Sequence, residues 1–527
     1  MANAVKKQSG FGKFIKWVEV VGNKLPHPFW LFVYLTAIVM ALSFIFSKTG
    51  LSVTYMAAGR DGVAGKETTV TVVNLLSADA IRSIFTNFVS TYVNFAPLGL
   101  VLTMTLGIGL LEQSGFISAF MRKSIMGAPS WAISAVLALI GINSNLASDA
   151  GIIFTATLGA VIFKTLGRNP WVGIATGYAA AQGGAAANFF IAGTDGLLGG
   201  ITLSALTGMG IKDPSAHILM NWYFLFVAAI PLTLIITIIS EKFLMKFLGE
   251  ESSQIDASVL AQNQITVDEK RGLRHAAIAL VTIAVVLLIT TVPKAGFFRD
   301  PKTHTLIPSS PFLSGIIGIL FFVFFFLGIA YGYGAKTIKK MGDIPKLMQG
   351  GLKGTLSFLV VALSASNFIT LFNKSNLTTI LSVKGAQGLE AIGLGGIPLL
   401  VLFILFSTFI NLFIASGSAK WLILAPIFVP MFYQIGFSPA LTQIAYRIGD
   451  SATNPMSPLS SYMAFVIGLL DQYRPKGKEN EDVGIGTVIS LTLPFCIAIL
   501  IVFTLQLVIW YLLKLPLGPG SGLWTVR

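Results

Sequence analysis

The sequence predicts an all-α integral membrane protein with nine transmembrane helices and two re-entrant helical hairpins, set out as inverted repeats. Three observations carry this prediction. Of 527 residues, 54% are hydrophobic and only 11% are charged, against roughly 25% charged in soluble domains. The apolar residues fall in runs that reach the length of about 20 residues needed to cross a bilayer. Two polar segments interrupt such runs: Gly141-Ile-Asn-Ser-Asn-Leu-Ala-Ser-Asp149, and a second that starts at Asn411, continues over 415–421 and resumes over 446–458. Irregular backbone at bilayer depth survives only where protein or a water-filled cavity surrounds it. A matching interruption in each half of a chain points to a transporter binding site.

The elements follow in order. Residues 1–27 are polar and basic, with no cleavable signal peptide expected. Phe11, Phe14, Ile15, Val18 and Val21 recur there at helical spacing beside Lys13 and Lys16, which fits an interfacial helix on the inner surface or a plain linker. Residues 28–82 hold the first span (28–46) and an outside loop. In that loop Gly50, Gly59, Gly62, Gly65 and the Val/Thr alternation near 68–73 predict a short β-hairpin. The first repeat half is 83–240: a span at 83–111, a hairpin at 125–165, a span at 170–192 with a polar break, and a closing span at 218–240. Residues 241–350 give a cytoplasmic loop and two linking spans, 273–292 and 312–334. The second half is 351–513: a span at 351–373, a hairpin at 397–437, a broken span at 440–470 and a span at 484–513. Residues 514–527 are a tail.

Charge sets the sides. With the N-terminus cytoplasmic, twenty-two of the 36 Lys and Arg residues fall inside and twelve outside; Lys420 and Arg447 lie at membrane depth. Reversing the topology reverses this bias. Arg122 and Lys123 precede the first hairpin and Lys164 and Arg168 follow it, so it enters from the cytoplasm. Parity makes the second hairpin enter from the opposite face, as an inverted repeat requires.

The same composition excludes other classes. The net charge of +14 is loop charge, and no nucleic-acid partner is expected. Cys496 is the single cysteine, so no internal disulfide and no zinc cluster is expected. There is no HExxH sequence, and no Walker A sequence that would make ATP the energy source. An intramembrane hydrolase would need a facing pair such as Asp195 and Asp450, yet no GxGD sequence accompanies either. The expectation is a carrier driven by an ion gradient, without cofactor and without enzymatic activity. A passive channel shares the polar breaks; saturable turnover with counterflow separates the two.

Ionisable groups at membrane depth are functional candidates by default. Asp149 follows the first polar tip. It either holds a cation or caps the returning helix, where the dipole and free N–H groups favour an acid. Asn143, Ser144 and Asn145 offer short side-chain oxygens to a hard cation such as sodium, or bond among themselves. Asp195 follows a Gly/Ala-rich run beside Gly193, Thr194 and Gly196, which marks an unwound helix end. Burial raises a carboxyl's pKa, and a carboxyl that takes up a proton in one facing state and releases it in the other couples protons to transport. The alternative is a solvated loop residue. Arg447 and Asp450 share a helix face and either pair with each other or leave Arg447 to grip a carboxylate bidentately. Pro455 and Pro458 lack N–H donors and free carbonyls upstream, with Asn454 before them. Trp421, beside Ser416, Ser418 and Lys420, is placed to stack on an aromatic substrate or to anchor at an interface. Pro439 marks the joint between the second hairpin and the next span.

Taken together, Asn143-Ser-Asn-Leu-Ala-Ser-Asp-Ala-Gly151, Ala192-Gly-Thr-Asp195, Asn373-Lys-Ser-Asn-Leu377, Gly417-Ser-Ala-Lys-Trp421-Leu-Ile-Leu-Ala-Pro426 and Tyr446-Arg-Ile-Gly-Asp-Ser-Ala-Thr-Asn-Pro-Met-Ser-Pro458 resemble the p-aminobenzoyl-glutamate transporter (AbgT) family. The resemblance covers nearly the whole chain and is nearest to the neisserial branch associated with the Mtr drug-efflux locus. Lys374 departs from it, standing where an aromatic residue is usual. The resemblance implies a bowl-shaped homodimer in the bacterial inner membrane, in contact with lipid. It implies proton-driven export of p-aminobenzoyl-glutamate-like aryl carboxylates and sulfonamide antimetabolites, with Asp195, Ser418, Trp421, Pro439, Arg447, Asp450 and Pro458 along the path of this small-molecule substrate. It also implies sodium as a bound ion in some members, near Asn145 and Asn454 here. The alternative is a sodium-coupled carboxylate importer.

Overall fold

The computed structural model describes residues 26–57, 66–207, 209–249, 264–307, 310–475 and 482–525. The expected interfacial helix in the first 27 residues lies outside them. The described chain is helical almost throughout. Its one sheet is an antiparallel pair, β1 (Ser52–Ala57) and β2 (Lys66–Thr71), in register from Ser52 opposite Thr71 to Ala57 opposite Lys66. This is the hairpin expected in the first loop.

Among the described residues, seven helices are long and apolar enough to cross a bilayer: Pro28–Lys48, Ala96–Gln113, Trp222–Leu248, Val267–Thr291, Ile316–Gly334, Leu356–Lys374 and Ile485–Leu512. Each corresponds to one of the nine expected spans. The two others, 170–192 and 440–470, are interrupted, as their polar sequences foretold. In chain order the helices are α1 (Pro28–Lys48), α2 (Ala78–Thr86), α3 (Phe88–Val93), α4 (Ala96–Gln113), α5 (Phe116–Met126), α6 (Ile133–Asn143), α7 (Ser148–Thr165), α8 (Pro170–Gly183) and α9 (Gly193–Thr207). Then come α10 (Trp222–Ile238, running through a π turn to Leu248), α11 (Val267–Thr291), α12 (Ile316–Gly334), α13 (Asp343–Gly351), α14 (Leu356–Lys374) and α15 (Leu377–Ala391). The last five are α16 (Gly396–Asn411), α17 (Gly417–Gln434), α18 (Pro439–Thr453), α19 (Met463–Gln472) and α20 (Ile485–Leu512).

One expected span is corrected. Residues 83–111 are not one helix but the end of α2, then α3, then α4. Asn87 turns its side-chain amide back onto the Ser83 carbonyl at 2.8 Å, competing with the helix ladder. Asn94 closes α3, and Pro97 in the first turn starts α4 afresh.

The first hairpin is α6 and α7 around a 3-10 turn, Ser144–Ala147. It is followed by α8, an irregular stretch at 184–192, and α9. The second is α16 and α17 around an irregular stretch at 412–416, followed by α18, the 3-10 turn Asn454–Met456 and α19. The same order therefore occurs twice. Helix α8 packs on both arms of the first hairpin through small residues. A Cβ on Gly173 would lie 2.1 Å from the Gly159 carbonyl oxygen, and one on Gly177 would lie 2.3 Å from that of Thr155. Helix α18 packs on α16 and α17 in the other half, and α9 joins the halves by contacting α4, α17 and α18. The periphery is apolar. On α11, Ile278, Val281, Val285 and Leu288 are exposed at helical spacing, a face suited to hydrocarbon rather than to water.

Candidate functional site

Helix α18 is buried along nearly its whole length, although its sequence is polar. Ser438 begins it by accepting from the Leu441 amide at 3.1 Å, with Pro439 at the first helical position, where its missing N–H costs nothing. From this helix Arg447 reaches across the molecule to Asp195, Nη1 to Oδ1 at 2.6 Å, with the side chains 3% and 5% exposed. Asp195 is the third residue of α9. Its other oxygen accepts from the Ala192 amide at 2.7 Å, an acid where the helix dipole favours one. The expected alternative of a solvated loop residue is thus corrected: Asp195 is buried and paired.

One turn along α18, Asp450 accepts from Lys420 of α17 at 2.5 Å, and the lysine side chain is fully buried. Lys420 also donates to the Asn411 side-chain oxygen. Asn411 in turn donates to the Asp450 carbonyl at 2.7 Å and to the side-chain oxygens of Thr453 and Asn454 at 2.9 Å each. Of the two alternatives for Arg447 and Asp450, their pairing with each other does not occur: each takes an oppositely charged partner from another helix packed on α18, Asp195 of α9 and Lys420 of α17.

Trp421 stacks on Tyr446, ring centroids 4.4 Å apart, and its indole N–H donates to Thr202 of α9 at 2.9 Å. The ring is fully buried, which corrects the interfacial-anchor alternative: no part of it reaches a membrane–water boundary. Gln443 donates to the same Thr202 hydroxyl at 2.8 Å and accepts from Asn221 at 2.7 Å. The Tyr446 hydroxyl donates to the Gly417 carbonyl at 2.5 Å, at the start of α17. Ser418 is the second residue of that helix, half-buried, with Ser416 as the cap. Pro458 is buried beyond the Asn454–Met456 turn.

The other half repeats the theme. Asn143 accepts from the Phe189 amide at 2.9 Å; Asn145 donates to the Ala185 carbonyl at 3.1 Å and to the Asn188 side-chain oxygen. Ser144 bonds back to the Gly141 carbonyl at 2.6 Å. In both halves, then, asparagine at the hairpin break ties down the break of the helix that follows. The backbone of Asp149 lies in the first turn of α7; its side chain lies outside the described residues. Asn145 and Asn454 sit in separate hydrogen-bond sets, though Pro455 packs near Gly183 at the end of α8. Among the described residues no group of His, Cys, Asp or Glu is arranged to hold a metal.

Two cations and two carboxylates thus lie in a buried region with other polar groups, of which Asn411, Thr202 and Gln443 are hydrogen-bonded to one another or to the ion pairs. Burying an ion pair costs desolvation that its attraction barely repays, so two such pairs mark function more than stability. Arg447 Nη2 is one of the buried side-chain donors that find no hydrogen-bond partner among the described residues, with the Ser451 hydroxyl on the same helix another. The structure brings Asp195, Trp421, Arg447 and Asp450, four of the residues singled out in the sequence, into one region. Sequence reasoning missed Lys420, Asn411, Tyr446, Gln443 and Thr202 as parts of it. Lys420 carried a signal, a charge at membrane depth, and Asn411 and Tyr446 lie in the polar segments that interrupt the apolar runs; Gln443 and Thr202 carried none.

The chain is similar to known proteins over nearly its whole length. The sequence pattern of the AbgT putative transporter family matches residues 13–524. The p-aminobenzoyl-glutamate transport protein of Escherichia coli (strain K12) is 36% identical over 520 residues, 98% of each chain. The structure of MtrF from Neisseria gonorrhoeae, described as illuminating a class of antimetabolite efflux pumps, superimposes with a TM-score of 0.88 at 35% identity, covering 96% of this chain and 100% of that one. The Alcanivorax borkumensis YdaH transporter, described as having an unusual topology, matches with a TM-score of 0.83 at 31% identity, covering 94% and 100%.

Proposed function

The chain belongs to the AbgT family of membrane transporters, and from that premise we propose that it is a proton-coupled exporter of p-aminobenzoyl-glutamate-like aryl carboxylates and sulfonamide antimetabolites. It is a multi-pass transporter and not an enzyme. The observation that carries the proposal is the buried Arg447–Asp195 pair with its spare guanidinium N–H. An incoming carboxylate needs a bidentate cation, and Arg447 supplies one once Asp195 takes up a proton and lets go. Proton uptake and substrate binding then become one exchange at a single arginine. Tyr446, next to Arg447 in sequence, stacks on Trp421, next to Lys420, and the two rings supply the aromatic surface. Ser418 and the joints at Pro439 and Pro458 flank the path.

The setting we propose is the bacterial inner membrane, as a homodimer with a cytoplasmic N-terminus and with hairpins entering from opposite faces. The inside-weighted lysine and arginine distribution supports this orientation. A second reading, sodium-coupled import of carboxylates, draws on the side-chain oxygens around Asn145 and Asn454. Uptake of radiolabelled p-aminobenzoyl-glutamate with and without sodium separates the two. For the first reading, Asp195→Asn in vesicles under an imposed proton gradient abolishes the gradient dependence of sulfonamide export. Export that keeps its full dependence removes Asp195 from coupling.

A further inference from the structure

We propose that Lys420 is a second carboxylate anchor, which among the aryl carboxylates makes the site prefer those with two carboxylates over those with one. The inference rests on the export reading above and deepens it by naming the substrate class. Lys420 is a fully buried cation in the first turn of α17, the end of a helix whose dipole repels positive charge. An apolar residue of similar volume would serve packing as well or better. Its position makes sense if it serves an anion. It is held by Asp450 at 2.5 Å as Arg447 is held by Asp195 at 2.6 Å. Arg447 and Asp450 share one face of α18, so the two ion pairs meet that helix about one turn apart, roughly 4.5 Å along its axis at 1.5 Å per residue. The two carboxylates of a glutamyl group, joined through three carbons, span a comparable gap. The aryl end then falls to the Trp421–Tyr446 stack, whose two residues adjoin Lys420 and Arg447 in sequence. In this state each cation is occupied by an aspartate. A dicarboxylate replaces both aspartates, whereas a monocarboxylate replaces one and leaves the other pair closed.

The test compares binding of p-aminobenzoyl-glutamate, with two carboxylates, and p-aminobenzoate, with one, to purified full-length protein by equilibrium dialysis. The readout is the ratio of the two Kd values, which a merely structural role does not move. Lys420→Met lowers the preference for the dicarboxylate at least about tenfold, the order expected when one charged hydrogen bond worth roughly 1.5–3 kcal/mol is lost. Lys420→Arg keeps it. Should Lys420→Met fail to fold, the double variant Lys420→Met with Asp450→Asn removes the pair without stranding a charge and is held to the same criterion. Equal weakening of both ligands, or no change in either, overturns the proposal. Wild-type protein that binds neither ligand overturns the export reading instead, and is seen before any variant is made.

Discussion

At the scale of single residues, charge at membrane depth was legible and its partners were not. Asp195 and Arg447 stood out because an ionisable group in an apolar run needs a reason to be there. Nothing local, however, says that residues 252 positions apart meet at 2.6 Å, or that Asp450 ignores Arg447 three residues away. Both outcomes depend on which helix faces α18, a property of packing. The pairing has a measurable consequence. Asp195→Ala strands a buried guanidinium and costs about 3–5 kcal/mol of stability, the range for breaking a buried pair. Asp195→Ala combined with Arg447→Met costs much less, because no charge is left unpaired. Thermal unfolding of the purified variants in detergent checks this. A double variant no more stable than the single one would show that Arg447 draws its compensation from elsewhere.

At the scale of elements, hydropathy located the spans and the polar breaks, because each is a property of its own segment. It could not foresee that 83–111 is three helices, since Asn87 and Asn94 are short polar interruptions inside an apolar run. Nor could it show what the glycines of α8 are for. Gly173 and Gly177 let the backbones of α7 and α8 touch, and close approach of this kind is how membrane helices associate without a hydrophobic driving force. Gly173→Ala would set a methyl group 2.1 Å from the Gly159 carbonyl oxygen and 2.8 Å from the Phe163 ring. Neither backbone nor ring can yield that far, so the hairpin separates from α8. Expressed Gly173→Ala protein is expected to lose its monodisperse size-exclusion peak and its transport. Gly318→Ala on α12, where nothing lies within 4 Å of the added methyl, behaves as wild type. Two indistinguishable variants would mean that α7 and α8 do not need this contact.

At the scale of the whole molecule, the order of elements was readable but the clasp that closes the chain was not. Residues 515–525 carry no motif, yet they run as a strap across both halves. The Phe224 amide donates to the Leu517 carbonyl, the Ser521 hydroxyl to the Ser215 carbonyl, the Ser438 amide and hydroxyl to Leu523 and Gly522, and the Thr525 amide to Gly436. Ser438 also caps α18, so the strap bears on the helix that carries Arg447. His217, in the loop before α10, is its titratable link. Its Nδ1 accepts from the Leu219 amide at 3.2 Å, so Nε2 carries the proton that it donates to the Pro519 carbonyl at 2.7 Å. Burial holds this imidazole below its ordinary pKa, against smaller upward pulls from the Pro519 carbonyl and Asp213. The freed imidazole titrates near 6.5 and the docked one lower, so between the two values the released form binds more protons. The histidine's contribution to docking is therefore complete above about pH 6.5 and is lost as pH falls through the docked value, when a second ring proton would face the Leu219 N–H. Hydrogen exchange at the strap amides, corrected for intrinsic rates, is expected to show protection at pH 7.5 that falls by pH 5. His217→Gln keeps a donor for Pro519 but cannot titrate, and should flatten that dependence. Protection that strengthens on acidification would mean that the charged imidazole, held by Asp213, is the docked form.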